Sequence, residues 1–376
     1  MDEDYKYYIK LCAIPEIGAV SAMRLLKYFG SPQAALSASK SELMKVEKIG
    51  EKTANSIIAN RDKIDVEKIR ARMDAVGARY IHFNDPRYPA LLRKIPDPPV
   101  GFYIIGDCDF SAPCISIIGS RNCSVYGQIT ARKFAASFAR AGFTVASGMA
   151  RGIDSCAHYG ALEAKGKTVA VLGCGADVLY PPENGDLYNR LVSHGAIVSE
   201  FPLGTRADRQ NFPIRNRIVA GLSVATLVVE SDIKGGSMIT ARLAGEQGRD
   251  VFAIPGRIDQ STSRGCNALI RDGVRLATCP EDIIDELAFS NQLSFDLKSE
   301  SAPEPAKTEE PECPQIRLSG DEAEVFKCFE SVENLDADTA ASLSGLSVQR
   351  CLSALLMLEI KKAVVKKAGG IWTKRG

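Results

Sequence analysis

Between Ile115 and Ile254 the chain repeats one unit: a short β-branched apolar run that stops at glycine or a polar residue, then an amphipathic stretch long enough for a helix. The runs are Ile115–Ile118, Thr144–Ala146, Thr168–Leu172, Ala196–Ser199, Ala225–Val229 and Asp250–Ile254. Continuous apolar runs fill a sheet covered on both faces, and connections that carry a helix join parallel strands. The repeat predicts an α/β fold built on a doubly wound, mostly parallel sheet. In such a sheet ligands bind beyond the carboxyl ends of the strands, so functional residues are sought in the segments that follow each run.

At 376 residues the chain exceeds one hydrophobic core and predicts flanking domains. Residues 1–80 read as an N-terminal helical module. Within it, Ile17-Gly18 and Ile49-Gly50 each lead into a helix with a small residue, Ala22 or Ala54, shortly after. These turns resemble the helix-hairpin-helix element of SAM-like modules. A glycine turn of that kind either offers backbone N–H groups to a phosphate or serves only to pack two helices. Residues 81–290 are expected to form the core, with 81–113 a connector whose prolines at 86, 89, 96, 98 and 99 rule out a helix interior. Residues 291–315, rich in Pro, Glu and Ser, are expected to be a flexible linker. From 316 to 376, three helices with N-cap candidates Ser319, Asp336 and Ser347 precede two strands joined at Gly369-Gly370. That order predicts a winged-helix-like domain.

Forty-seven basic residues against 46 acidic ones leave a formal charge of +1, so any nucleic-acid surface must come from local clustering. No apolar run approaches a membrane span and the acidic start MDEDYKYYIK is unlike a signal peptide, which predicts a cytoplasmic protein. Eleven cysteines include no C-x-x-C pair, and the three histidines, His82, His158 and His194, lie far apart. Such spacing predicts buried thiols and no metal site.

The segments after the runs carry arginine where a cofactor fold carries glycine. Gly119-Ser120-Arg121 follows the first run and supplies a turn, a hydroxyl and a guanidinium, a set suited to an oxyanion. Asn211-Phe212-Pro213-Ile214-Arg215-Asn216-Arg217 sets an aromatic ring beside two arginines at a helix start. Single-stranded nucleic acid stacks its bases on such rings while arginine holds the backbone. Lys234, Gly235, Gly236 and Ser237 form a third anion grip at another helix start. Arg151, Arg206 and Arg209 belong to the same rim, so its charge should be positive although Asp154, Glu200, Asp208, Glu230 and Asp232 lie among them. Ser147, Asp154 and His158 invite a hydrolase reading, but the chain has no G-x-S-x-G elbow and no catalytic residue is assigned.

These motifs resemble the DNA-processing protein A family, DprA, also called Smf. The similarity runs through IIGSR, VASGMARGID, VAVLGCGADVLYPPEN, SEFPLGT, NFPIRNRIVAGLS, KGGSMITA, VFAIPGRID and GCNALIRDGV. It implies an extended Rossmann fold that dimerises through the α/β domain, binds and protects single-stranded DNA, and loads RecA recombinase during natural transformation. No cofactor and no turnover are implied. Carried over by motif, the DNA-contacting candidates are Ser120, Arg121, Asn211, Phe212, Arg215, Arg217, Lys234, Gly235, Gly236 and Ser237. A second reading comes from Gly235-Gly236-Ser237 and Thr240 after Glu230, which resemble the phosphate turn of lysine-decarboxylase-like phosphoribohydrolases; Met238 stands where those enzymes have a glycine.

Overall fold

The computed structural model describes residues 4–289, 320–329, 332, 334–361, 363–367 and 371–374. They belong to two compact units, residues 1–300 and 301–376.

The first unit is organised by one mixed sheet. Its strands are β1 (Ala78–His82), β2 (Gly101–Gly106), β3 (Cys114–Ile118), β4 (Thr144–Ser147), β5 (Thr168–Val171), β6 (Ala196–Ser199), β7 (Ala225–Val228), β8 (Asp250–Ala253) and β9 (Arg275–Leu276). They lie in the order β1-β2-β6-β5-β4-β3-β7-β8-β9. The six runs read from the sequence are β3 to β8, all paired in parallel. The chain winds outward from β3 through β4, β5 and β6, then returns to β3's other side as β7 and continues to β8. The switch point therefore falls between β3 and β7.

The proline-rich connector departs from its expectation by contributing β2, which pairs antiparallel with β1 and β6. Its prolines at 96, 98 and 99 end just before Gly101, leaving every backbone donor of β2 intact. Strand periodicity then divides the core. Phe102 and Ile104 of β2 and Ala196 and Val198 of β6 share one cluster with Ile218 and Leu222. Tyr103, Ile105 and Ile197 face the other way, into a cluster with Ile9, Leu25, Leu43 and Ile57 of the N-terminal helices. The helical module thus covers one face of the sheet and shares its core.

Within that module the two glycine turns are conformational copies. Glu16 and Lys48 take left-handed φ values of 71° and 60°, Ile17 and Ile49 are buried, and Gly18 and Gly50 cap the helices Ala19–Phe29 and Glu51–Asn60. Glu16 pairs with Lys52 at 3.0 Å and Glu51 with Lys40 at 2.7 Å. Glu51 stands in the first turn of its helix and Glu16 two residues before Gly18, each balanced by its lysine.

The second unit contains the helices Asp321–Cys328, Ala337–Ser344 and Val348–Ile360 and three short antiparallel strands, Asn334–Leu335, Val364–Lys367 and Ile371–Lys374. Trp372, 2 % exposed, packs with Val325, Leu335, Leu355 and Leu358 at the centre of this small core. Asp336 caps its helix by accepting from the Thr339 N–H at 2.7 Å. Ser347 stands at the N-cap position with no side-chain bond, and Gly320 takes the position expected for Ser319. Ser319, the linker 291–315 and the turn Gly369-Gly370 lie outside the described residues. Val348, Leu352 and Leu356 form an exposed apolar row on the last helix, while Arg350 and Lys361 are paired with Asp321 and Glu322. No single described helix is long and apolar enough to cross a membrane.

Candidate nucleic-acid interface

Beyond the carboxyl ends of β3 and β7 lies an open cleft of about 550 Å³. Gly119, Ser120 and Arg121 line one side, Phe212 and Arg215 another, and Gly235, Gly236 and Ser237 a third, with Arg209 and Asp232 at the lip. Three segments that are remote in sequence meet because each follows a different strand of one sheet. Lys234 is exposed beside the cleft, and Asn211 is half-buried at the start of the helix Asn211–Gly221; neither lines it.

At the mouth, the Arg121 guanidinium lies over the Phe212 ring, 5.3 Å from its centroid. Tyr180 continues the stack, its ring centroid 5.5 Å from that of Phe212 and tilted by 32°. Gly173 makes room for this ring, because a Cβ there would stand 2.8 Å from Phe212 Cδ1. Arg121 is exposed and, among the described residues, no carboxylate pairs with it. An unpaired guanidinium beside stacked rings is ready to hold a phosphate next to an unstacked base.

The two arginines of the helix Asn211–Gly221 behave differently from expectation. Arg215 is 4 % exposed; its Nη1 donates to the carbonyls of Gly148, at 2.8 Å, and Val171. It forms part of the cleft wall while tying the helix that carries Phe212 to the ends of β4 and β5. Asp154 lies against it and accepts from the Gly148 and Ala150 N–H groups at 3.1 and 3.4 Å. Burial raises the Asp154 pKa while Arg215 pulls it back, and burial lowers that of Arg215. Arg217 does not line the cleft: it is 5 % exposed and donates to the Asp97 carbonyl at 3.0 Å and to Glu200 Oε1 at 2.8 Å. Its expected role at the ligand is replaced by an internal one, because two acidic residues from separate segments converge on it.

Pairing also revises the charge of the rim. Arg151 is paired with Glu183, and Arg215 and Arg217 are buried. Arg121, Arg206, Arg209 and Lys234 stay exposed against Asp208 and Asp232, so the rim is positive with fewer contributors than the sequence offers. Arg209, part of the basic rim but not among the candidate contacts, lines the cleft because its loop leads into the helix of Phe212.

The turn after β3 is held by close backbone approach. Ser120 N–H donates to the Glu230 carbonyl at 2.6 Å, so this donor of the expected anion grip is already spent. Gly152, at φ 78°, lies where a Cβ would stand 2.3 Å from the Ser120 carbonyl oxygen. Gly152→Ala is expected to cost about 1–3 kcal/mol of stability and to displace Arg121. Chemical denaturation together with oligothymidine binding checks both effects.

Of the residues that invited a hydrolase reading, Asp154 lines the cleft and Ser147 and His158 do not. Ser147 Oγ donates to the Ile117 carbonyl at 2.6 Å, and Asp154 is bound to Arg215 and backbone. His158 is fully buried, with Nδ1 2.6 Å from Thr168 Oγ1, and burial holds its pKa down at about 3. His158 is not among the residues that line the cleft.

Comparison with known proteins agrees with this geometry. Residues 79–288 match the family model described as DNA recombination-mediator protein A, and residues 8–60 match a SAM-like helix-hairpin-helix tandem. Protein Smf of Synechocystis is 35% identical over 291 residues, covering 76% of this chain and 73% of that one. The DNA processing protein DprA of Streptococcus pneumoniae is 40% identical over 206 residues, covering 54% of this chain and 73% of the relative. The X-ray structure of Streptococcus pneumoniae DprA superposes with a TM-score of 0.67 at 31% identity, covering 75% of this chain and 97% of that one. The Helicobacter pylori DNA processing protein A, whose structure is described in terms of a single-stranded DNA binding mode, gives 0.52 at 27% identity over 57% of this chain and 96% of that one.

Proposed function

Since the chain belongs to the DNA recombination-mediator protein A family, we propose that it is a non-enzymatic binder of single-stranded DNA that protects the strand and loads RecA recombinase onto it in the cytoplasm. It works as a homodimer joined through the α/β domain. The observation that carries the binding role is the unpaired Arg121 stacked on Phe212 and Tyr180 at the mouth of the switch-point cleft. Phosphates meet Arg121, Arg209 and Lys234, and bases stack on the rings at about 1–3 kcal/mol each, with little dependence on sequence. Arg215, Asp154 and Gly148 keep the wall in place.

Binding that rests on several phosphates releases counterions. The logarithm of oligothymidine affinity is expected to fall linearly with the logarithm of salt concentration, with a slope of about −0.7 for each phosphate contact. A slope near zero would remove the basis of the reading. The phosphoribohydrolase alternative predicts free base after incubation with nucleoside monophosphates. No release is expected; sustained release would overturn the binding reading, since Gly235, Gly236, Ser237 and Thr240, on which the alternative rests, do line the cleft.

A further inference from the structure

In a dinucleotide-binding sheet the pyrophosphate sits at the amino end of the helix that follows the first strand of the switch point. That helix is Val125–Arg140, and its amino end is already filled by a side chain. Glu230, just beyond β7, reaches across the switch point: Oε2 accepts from the Ser124 N–H at 2.8 Å and Oε1 from the Ser124 hydroxyl at 2.5 Å. The same hydroxyl accepts from the Gly127 N–H at 3.1 Å. Gly127 has no Cβ to spare, since one would stand 2.6 Å from the carboxylate carbon. Glu230 is 2 % exposed, and its main-chain carbonyl also takes the Ser120 N–H.

We infer that Glu230 is an internal anion occupying the seat of a cofactor's pyrophosphate, and that it is the specificity-determining residue that closes this cleft to dinucleotides and pyrophosphate. The carboxylate and the Ser124 hydroxyl between them take the Ser124 and Gly127 N–H groups, and the buried acid sets like charge against any phosphate that approaches the helix start. Phosphates are left with side-chain grips on the open side of the turn, which suits a strand that passes through and not a ligand that seats. The inference rests on the DNA-binding reading only for its consequence; the occupancy of the seat stands on the distances above.

The experiment is calorimetric titration of the full-length protein with inorganic pyrophosphate and with NAD at low ionic strength. Glu230→Gln keeps the side chain's length and removes its charge. It is expected to bind pyrophosphate about tenfold more tightly than the wild type. A folded Glu230→Gln protein that gains no pyrophosphate affinity overturns the inference, as does tight, saturable binding of NAD by the wild type. Should the variant not fold, the Ser124 amide resonance of the wild type decides. It is expected to stay unmoved as pyrophosphate is added, and a saturable shift overturns the inference. Failure of the wild type to bind oligothymidine would sink the proposed function while leaving the pyrophosphate comparison intact.

Discussion

Arg121→Glu is expected to lower affinity for a short oligothymidine by about two to four orders of magnitude, the largest effect of any single exposed residue in the cleft. The guanidinium has two roles there: it lies over Phe212 at 5.3 Å and it faces solvent without a carboxylate partner among the described residues. Losing a charge-assisted bond costs about 1.5–3 kcal/mol, and disturbing a stacking ring adds about 1–3 kcal/mol. Each 1.4 kcal/mol is about tenfold in affinity. Two companion variants separate the roles. Arg121→Ala should flatten the salt dependence by about 0.7 in slope, whereas Phe212→Ala should weaken binding by about 1–3 kcal/mol with the slope unchanged. Fluorescence anisotropy over a salt series reads both. Equal slopes for wild type and Arg121→Ala would mean that Arg121 holds no phosphate.

The second large effect is on stability. Arg215→Met is expected to cost about 3–5 kcal/mol at neutral pH, because it leaves the buried Asp154 carboxylate without its counter-charge. The sign of the pH dependence follows from burial, which raises the Asp154 pKa in the native protein. An acid with a raised native pKa holds a proton that the unfolded chain releases, so stability falls as pH rises between the unfolded and native values and returns as pH drops back through them. Without Arg215 the native value climbs further. The deficit of Arg215→Met should therefore be largest at and above neutral pH and shrink on acidification toward the ordinary carboxylate range. Adding Asp154→Asn should recover part of it, since the double variant buries no unpaired charge. Urea denaturation of the wild type, Arg215→Met, Asp154→Asn and the double variant across pH measures the coupling; additive losses with no pH dependence would contradict the pair.

The same two arginines mark the limit of what could be read without a structure. Arg121 and Arg215 both follow apolar segments and both suit an oxyanion. Nothing local distinguishes the one left in solvent from the one drawn under Gly148 and Val171. Arg217 is a sharper case, because its partners Asp97 and Glu200 are 120 and 17 residues away along the chain. The strands from β3 to β8 were legible as runs apolar on both faces. β2 was not, since prolines at 96, 98 and 99 precede it and strand signals weaken beside proline. Glu230 gave a signal only as the acid at the end of a strand; its reach to Ser124 follows from β3 and β7 being neighbours.

What the sequence by itself determined is the kind of sheet and the edge at which a ligand is met, since both follow from short-range periodicity and from the rule that parallel strands end at a common rim. It also determined the chemistry available at that rim, with arginine, lysine and aromatic residues where a cofactor fold has bare glycine. Only the tertiary structure decided which of those charges remain free. Burial and pairing depend on residues brought together from distant segments, and an ion pair formed inside the protein removes an arginine from the ligand's reach however well its motif suits a phosphate. Arg121 stays available because the turn that carries it leaves its guanidinium exposed, with no carboxylate paired to it among the described residues; Arg215 and Arg217 do not, because the sheet order places acids and carbonyls around them.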